Sequence, residues 1–159
     1  QHILRAANPL ALTSQNSVTL DFNATLQVGG GTLNIGNLLV GDPLGNAVTN
    51  GVYVENASNA AGTLRINQTV NDTWDAIFRD GVTPGINSAF DAVVRNNTLS
   101  LVKLGSATAT MTQANTYTGS TQIGSLNGPT GGTLRLGPGG SINPASPLAV
   151  FGGVFELAG

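Results

Sequence analysis

The sequence is poor in charged residues, which make up 9% of its 159 residues, against about 25% in an average soluble domain. It has a single lysine, Lys103, whereas helical and α/β enzymes carry many Lys and Glu side chains on their helix surfaces. The net charge is −2 and there is no basic run, so no stripe is available to contact nucleic-acid phosphates. These shortages disfavour a helical enzyme, and we expect no nucleic-acid partner.

Cysteine is absent, and its absence excludes disulfides and thiolate metal sites. The single histidine, His2, lies on a terminal segment that is expected to fray, which disfavours a catalytic triad or a His-based metal site. The apolar stretch at 147–155 is far too short to cross a bilayer as a helix. We therefore expect no cofactor and no membrane insertion of this segment, and the lack of cysteine suits an exported bacterial protein.

Glycine is abundant, with 22 residues, about twice the usual share, and Gly, Asn and Asp together supply the tight turns of β proteins. A short Thr-Leu-x-aliphatic motif recurs along the chain. In each copy the side chains alternate, so that Leu64 and Ile66 face one side of a strand while Thr63 and Arg65 face the other. The copies are TLQV at 25–28, TLNI at 32–35, TLRI at 63–66, TLSL at 98–101 and TLRL at 133–136, with a weaker relative, VFEL, at 154–157.

Such a strand cannot bury its apolar face alone, but stacked copies can, and the motif therefore predicts one all-β, β-solenoid domain over 1–159. The interval from Leu33 to Leu64 is 31 residues, and that from Leu134 to Phe155 is 21. With a basic coil of ~20 residues, the chain would hold about 7 coils. The alternative is a β-sandwich whose strands resemble one another by chance.

Residues 71–97 depart from this pattern and contain the only tryptophan, Trp74. A weak helical spacing puts Trp74, Ile77 and Phe78 on one side, and Ser88 could cap a short helical turn. We expect an irregular, decorated coil whose aromatic side chains fill the core. The alternative is a protruding loop that binds a ligand.

Two patterns resemble catalytic arrangements. Ser100 and Lys103 match a Ser-x-x-Lys motif, but an offset of three within a strand sends the two side chains to opposite faces, so we expect no catalysis there. A group of aspartates near one arginine is similar to the calcium-dependent sites of β-helix polysaccharide lyases, although its spacing matches no calcium loop. This group contains Asp72, Asp75, Asp80 and Arg79.

Aromatic side chains offer a second route to carbohydrate recognition, as exposed stacking platforms. The candidates are Tyr53, Trp74 and Tyr117, although Tyr117 lies in a repeat where coil packing is the simpler role. Asn-x-Ser/Thr triplets also occur, and we interpret them as turn and ladder residues rather than glycan acceptors. Their asparagines are Asn23, Asn56, Asn67, Asn71 and Asn96.

Residues 101–137 resemble the autotransporter-associated β-strand repeat, also called the passenger-associated transport repeat. The resemblance rests on Lys103, Gly105, the hexamer ANTYTG at 114–119 and GTLRLG at 132–137. It implies a right-handed parallel β-helix on a bacterial surface and implies no catalytic residues. The chain departs from the repeat at 124–131, where we expect an extra loop.

These features together predict an extracellular or cell-surface bacterial β-solenoid with a structural or adhesive role and no enzymatic activity. We expect its ends to stack head to tail into a filament, or to join neighbouring repeats of a longer chain. The axial contacts would come from Ile3 and Leu4 at one end and from Val154, Phe155 and Leu157 at the other. The alternative is a carbohydrate-active or carbohydrate-binding β-helix, whose ligand-binding candidates are Trp74, Asp75, Arg79 and Asp80.

Overall fold

The computed structural model describes residues 2–8, 10–41, 51–81 and 97–158. These residues form β-strands and contain no helix. The strands are β1 His2–Ala6, β2 Val18–Leu20, β3 Ala24–Val28, β4 Gly31–Ile35, β5 Leu38–Val40, β6 Tyr53–Asn56, β7 Gly62–Asn67, β8 Asp72–Trp74, β9 Ile77–Arg79, β10 Leu99–Leu104, β11 Thr108–Met111, β12 Thr121–Ile123, β13 Gly132–Leu136, β14 Leu148–Val150 and β15 Gly153–Leu157.

Every pairing between these strands is parallel. The first sheet has the order β1-β3-β6-β9, the second β14-β12-β10-β7-β4 and the third β15-β13-β11-β8, while β2 pairs with β5. The chain visits the first, second and third sheets in turn, as in β6–β7–β8 and again in β9–β10–β11. This architecture is compatible with a β-helix, and the described residues lack the antiparallel pairings that a sandwich requires.

The predicted alternation of side chains is confirmed in β7. Leu64 and Ile66 are fully buried, whereas Thr63 and Arg65 are half-buried. Leu64 lies between Leu33 of β4 and Leu101 of β10 in the strand register, so one inward position is leucine on three successive strands. Repetition of such positions gives one contiguous apolar core that extends from β1 to β13.

The Thr-Leu motif does not form a single ladder. The 31-residue interval from Leu33 to Leu64 corresponds to a real pairing, but Leu99 pairs with Gly62 rather than with Leu64. The copy at 133–136 lies in the third sheet and the copy at 98–101 mainly in the second. The motif therefore marks strands with an apolar inner face, whichever sheet they join, because all three sheets face the same core.

The helical spacing that we predicted in 71–97 is wrong for its described part. Residues 72–74 and 77–79 are strands β8 and β9, because tertiary packing of the aromatic residues overrides a weak local pattern. The prediction that these aromatics fill the core is confirmed, since Trp74 and Phe78 are fully buried with ring centroids 5.7 Å apart. The predicted cap at Ser88 lies outside the described residues.

Candidate functional site

The aspartates of the proposed catalytic group bind separate parts of the chain. Asp80 Oδ1 accepts a hydrogen bond from the Leu99 amide at 2.7 Å. Its Oδ2 accepts from the amide and the hydroxyl of Thr118, at 3.0 and 2.5 Å. Asp75 accepts from the Thr112 hydroxyl at 2.9 Å and from the side-chain amide of Gln113. Both carboxylates therefore connect segments of the chain that are distant in sequence.

Asp72, the third member, lies on the opposite side of β8 from solvent-exposed Thr73 and is half-buried. Its Oδ2 accepts a hydrogen bond from the Val40 amide at 2.8 Å, which links β5 to β8. Desolvation raises the pKa of this carboxyl, and the backbone hydrogen bonds from Val40 and Thr73 oppose that rise. Within the described residues, no three His, Cys, Asp or Glu side chains gather into a group that could hold a metal ion.

Arg79 binds a glutamate that the sequence did not single out. Its Nε and Nη2 donate to Glu55 Oε2 at 2.9 and 2.6 Å, and its guanidinium lies 3.9 Å from the centroid of the Tyr53 ring. Gln27 donates from Nε2 to the other carboxylate oxygen of Glu55 at 2.7 Å. Glu55 is fully buried, so this ion pair is shielded from solvent.

These side chains belong to a polar column along the first sheet. Arg5, Gln27, Glu55 and Arg79 are successive partners in the strand register, one from each of β1, β3, β6 and β9. At the first step of the column, Arg5 Nε donates to Gln27 Oε1 at 2.6 Å. The column could be predicted from the sequence only with the strand register, which no local pattern provides. Arg79 therefore binds within this column and not to the aspartates.

Lys103 forms the second buried polar cluster. Its Nζ donates to the backbone carbonyls of Leu104 and Gly105, both at 3.2 Å, of Ala107 at 2.7 Å and of Gly131 at 2.6 Å. Burial lowers the pKa of Lys103 to about 8, while the surrounding carbonyl oxygens favour the ammonium form. We call the four carbonyls of Leu104, Gly105, Ala107 and Gly131 the carbonyl ring.

The predicted opposite orientation of Ser100 and Lys103 is confirmed. Ser100 lies on the half-buried side of β10, where its hydroxyl accepts a hydrogen bond from the Ser120 amide at 3.1 Å. Lys103 points to the buried side of the same strand. This burial could have been predicted from the alternation of side chains, because Lys103 lies two residues after Leu101 and four after Leu99, on the same face of the strand.

The hexamer at 114–119 has a structural role at each of three positions. Asn115 accepts from the Phe78 amide at 2.8 Å and donates to the Ser141 carbonyl at 2.9 Å, which connects three successive passes of the chain. The Tyr117 hydroxyl lies 2.6 Å from Thr121 Oγ1, and burial raises the pKa of Tyr117 to about 12. A Cβ at Gly119 would collide with a backbone carbonyl, so this position requires glycine.

Two of the three proposed aromatic platforms are not at the surface. Trp74 and Tyr117 are fully buried, and the indole Nε1 of Trp74 donates to the Leu38 carbonyl at 2.9 Å. Tyr53 is half-buried and stacks on Arg79. Trp74 and Tyr117 therefore cannot stack on a carbohydrate, because both side chains are buried in the core.

Both terminal strands expose apolar side chains. At one end, Ile3 and Leu4 of β1 are 44% and 45% exposed. At the other, Leu157 of β15 is 71% exposed, and the neighbouring apolar side chains are exposed or partly buried. The sequence singled out Val154, Phe155 and Leu157 there, and it missed Leu148, Val150 and Phe151, which are also exposed.

The outer surface of the third sheet carries an open polar groove of about 520 Å³. Thr73, Thr110, Arg135 and Glu156 follow one another across four paired strands, and Arg135 Nη2 lies 2.9 Å from Glu156 Oε2. The lining residues are Asn71, Asp72, Thr73, Thr108, Thr110 and Arg135. Hydroxyl, amide and charged groups of this kind can hydrogen-bond to a polar ligand.

Comparison with known proteins adds no family to these observations. No protein-family model, no curated protein and no solved structure matches the chain. In the described parts of the chain, no helix has the length and apolar character needed to cross a membrane.

Proposed function

We propose that the protein is a right-handed parallel β-helix with a structural or adhesive role on the outside of a bacterial cell. The order in which the chain visits the three sheets supports the β-helix. Right-handedness follows from the strong preference of parallel crossover connections. The role and location rest on the resemblance of 101–137 to the autotransporter-associated repeat, together with the structural use of Lys103, Asn115 and Gly119.

Six coil starts can be traced in the described segments, and the total of about 7 coils expected from spacing stays a prediction. Four coils begin at β1, β3, β6 and β9 of the first sheet. Two more begin at residues 114–117, which hydrogen-bond to Phe78, and at Ser141, which bridges to Ala114. Insertions between strands account for the longer intervals, since equivalent positions in β7 and β10 are 37 residues apart at Gly62 and Leu99.

The mechanism that we propose is mechanical. Parallel strands at ~4.8 Å spacing place their hydrogen bonds along the axis of the stack, so extension would have to break many of them together. The buried column on the first sheet and the carbonyl ring at Lys103 connect coils through polar contacts in the same direction. A stiff rod with few charges is the expected product.

We further propose that the rod associates end to end with a second copy of itself. The apolar side chains of β14 and β15 and those of β1 are exposed at opposite ends of the ladder of strands. A contact between unlike ends is heterologous and gives an open filament when it does not close into a ring. The main support for this proposal is the exposure of Leu157. Its register partner on β13, Leu136, is buried, so Leu157 occupies a position that faces the core on the preceding strand.

Light scattering after size exclusion, and negative-stain imaging, should show oligomers that lengthen as the concentration of the wild type rises. Leu157→Glu should shift the population to monomers, because it puts a charge on the contacting end. The control is Leu126→Glu, which alters a leucine of similar exposure, 72%, on the loop between β12 and β13. A wild type that stays monomeric at millimolar concentration would contradict end-to-end association.

The polar groove on the third sheet favours a second function, carbohydrate binding. Its hydroxyl and amide groups suit a neutral or acidic polysaccharide, with Arg135 placed to meet an anionic sugar. Affinity electrophoresis in polysaccharide gels should show retardation that Thr110→Trp abolishes by filling the groove. Thr63→Trp on the second sheet is the control, and a parallel assay for polymer cleavage with and without calcium tests the carbohydrate-active alternative.

A further inference from the structure

Lys103 has more acceptors around its ammonium group than it has protons. The Nζ carries three N–H donors, yet four carbonyl oxygens lie within 2.6–3.2 Å of it. At least two of these oxygens must share one donor. Such an arrangement resembles the coordination of a small cation by a ring of carbonyl dipoles more than a set of one-to-one hydrogen bonds.

The carbonyl ring is built by the backbone and does not depend on Lys103 for its shape. The Leu104 carbonyl also accepts from the Gln68 amide at 2.9 Å, and the Ala107 amide donates to the Gln68 carbonyl at 3.2 Å. Gly105 has φ of +79°, and a side chain there would collide with the backbone of Gln68. The ladder between coils therefore holds the oxygens of this corner in place from outside the ring.

From this geometry we infer that the carbonyl ring is a binding site for a small monovalent cation of the ammonium class, which Lys103 fills with its own side chain. The site joins two successive passes of the chain, because Leu104 ends β10 and Gly105 and Ala107 follow it, whereas Gly131 precedes β13. By carrying its cation covalently, the corner becomes independent of ions in the medium. This inference does not rest on the proposed function.

The inference predicts chemical rescue. Lys103→Ala removes the three carbons and the nitrogen beyond Cβ, which together correspond to propylammonium. The thermal midpoint of this variant should fall well below that of the wild type. Added propylammonium should recover about half of the loss or more, and the recovery should grow with the logarithm of concentration above Kd. The wild type should show no such gain at the same ionic strength.

Three controls separate the site from general salt effects. Tetramethylammonium has the same charge but no N–H donor, and it should not rescue Lys103→Ala. Lys103→Met keeps the aliphatic channel filled, so propylammonium should not stabilise it. Arg135→Ala removes an exposed cation, one with 41% side-chain exposure, and should not respond either.

Equal recovery by propylammonium and tetramethylammonium, or no recovery in a folded Lys103→Ala protein, would overturn the inference. If Lys103→Ala does not fold without added cation, refolding from denaturant in propylammonium and in tetramethylammonium provides the same comparison. Recovery of the native circular dichroism in propylammonium alone supports the site. Recovery in both salts or in neither refutes it.

Discussion

Arg79 and Lys103 are both buried cations, but the molecule neutralises them in different ways. Arg79 faces a carboxylate, Glu55, and an aromatic ring, in a column of side chains drawn from four strands of the first sheet. Lys103 faces only backbone carbonyls among its described hydrogen-bond partners. One cluster depends on which side chains meet, and the other depends on how the backbone turns.

This difference separates two requirements for stacking coils. The column on the first sheet specifies register, since a slip of one residue would move Glu55 away from both Gln27 and Arg79. The carbonyl ring specifies the path of a corner, since Gly105 and Gly131 must bring their carbonyls to one point. Changes to the first cluster should therefore lower the free energy of unfolding by leaving a charge without a partner. Changes to the second should lower it by leaving backbone carbonyls without a donor.

The largest expected effect is that of Glu55→Gln. It leaves the guanidinium of Arg79 buried without a carboxylate, and breaking one side of a buried pair typically costs ~3–5 kcal/mol. For a domain of this size the thermal midpoint should fall by about 10 °C or more. The free energy of unfolding from urea titration checks this value.

The double variant Glu55→Met, Arg79→Met provides the control. Apolar replacement of both partners removes the orphaned charge and should recover most of the lost stability. A loss below ~1 kcal/mol for Glu55→Gln would contradict a shielded ion pair and place Glu55 in contact with water.

A smaller effect should appear in the pH dependence of stability. The pKa of Lys103 is about 8 in the folded protein and 10.5 in the unfolded chain. Between these values the unfolded chain binds more protons, so the free energy of unfolding should rise with pH. Lys103→Met should lack this rise, and urea titrations from pH 7 to 10 measure the difference.

Tyr117 acts in the opposite direction at higher pH. Burial raises its pKa to about 12, so above pH 10 the folded protein keeps a proton that the unfolded chain loses, and stability falls. The range from 8 to 10 therefore isolates Lys103. A stability difference between the wild type and Lys103→Met that stays flat over this range would show that the carbonyl ring fully offsets the effect of burial.

The smallest effect should come from Arg135→Ala. Arg135 and Glu156 form an ion pair on the surface, with 41% and 42% of their side chains exposed, and pairs of this kind contribute ~0–1 kcal/mol. We expect a change within about 0.5 kcal/mol, further reduced at high salt. A loss of unfolding free energy as large as that of Glu55→Gln would contradict the account, because it would mean that solvent exposure does not determine how much a cation contributes to stability.

Much of the architecture could be predicted from local patterns. The alternation in β7 gave the inner and outer faces correctly, because a half-buried strand repeats every two residues. The loop at 124–131 and the burial of Trp74 and Phe78 were also predicted correctly. The helical spacing at 71–79 was misleading because three-residue strands are too short to show a clear period.

The polar clusters could not be predicted in the same way. Arg5, Gln27, Glu55 and Arg79 are separated by 22 to 28 residues, and only the register of four strands shows that they touch. Lys103 had a local signal, its parity with Leu101, but a buried lysine contradicts the usual preference of the residue for the surface. The carbonyl oxygens that compensate for its burial belong to the backbone, so the amino-acid sequence does not reveal them.

The central claim, that strands of successive coils lie parallel and in register, can be tested directly because the chain has no cysteine. Thr63 and Ser100 are register partners on β7 and β10, so cysteines at these positions should be ~4.8 Å apart at Cα and form an intramolecular disulfide. Cysteines at Thr63 and Val102, offset by two residues, would lie ~8 Å apart and should remain reduced under the same mild oxidation. Rapid oxidation of the offset pair, with none of the register pair, would contradict the account.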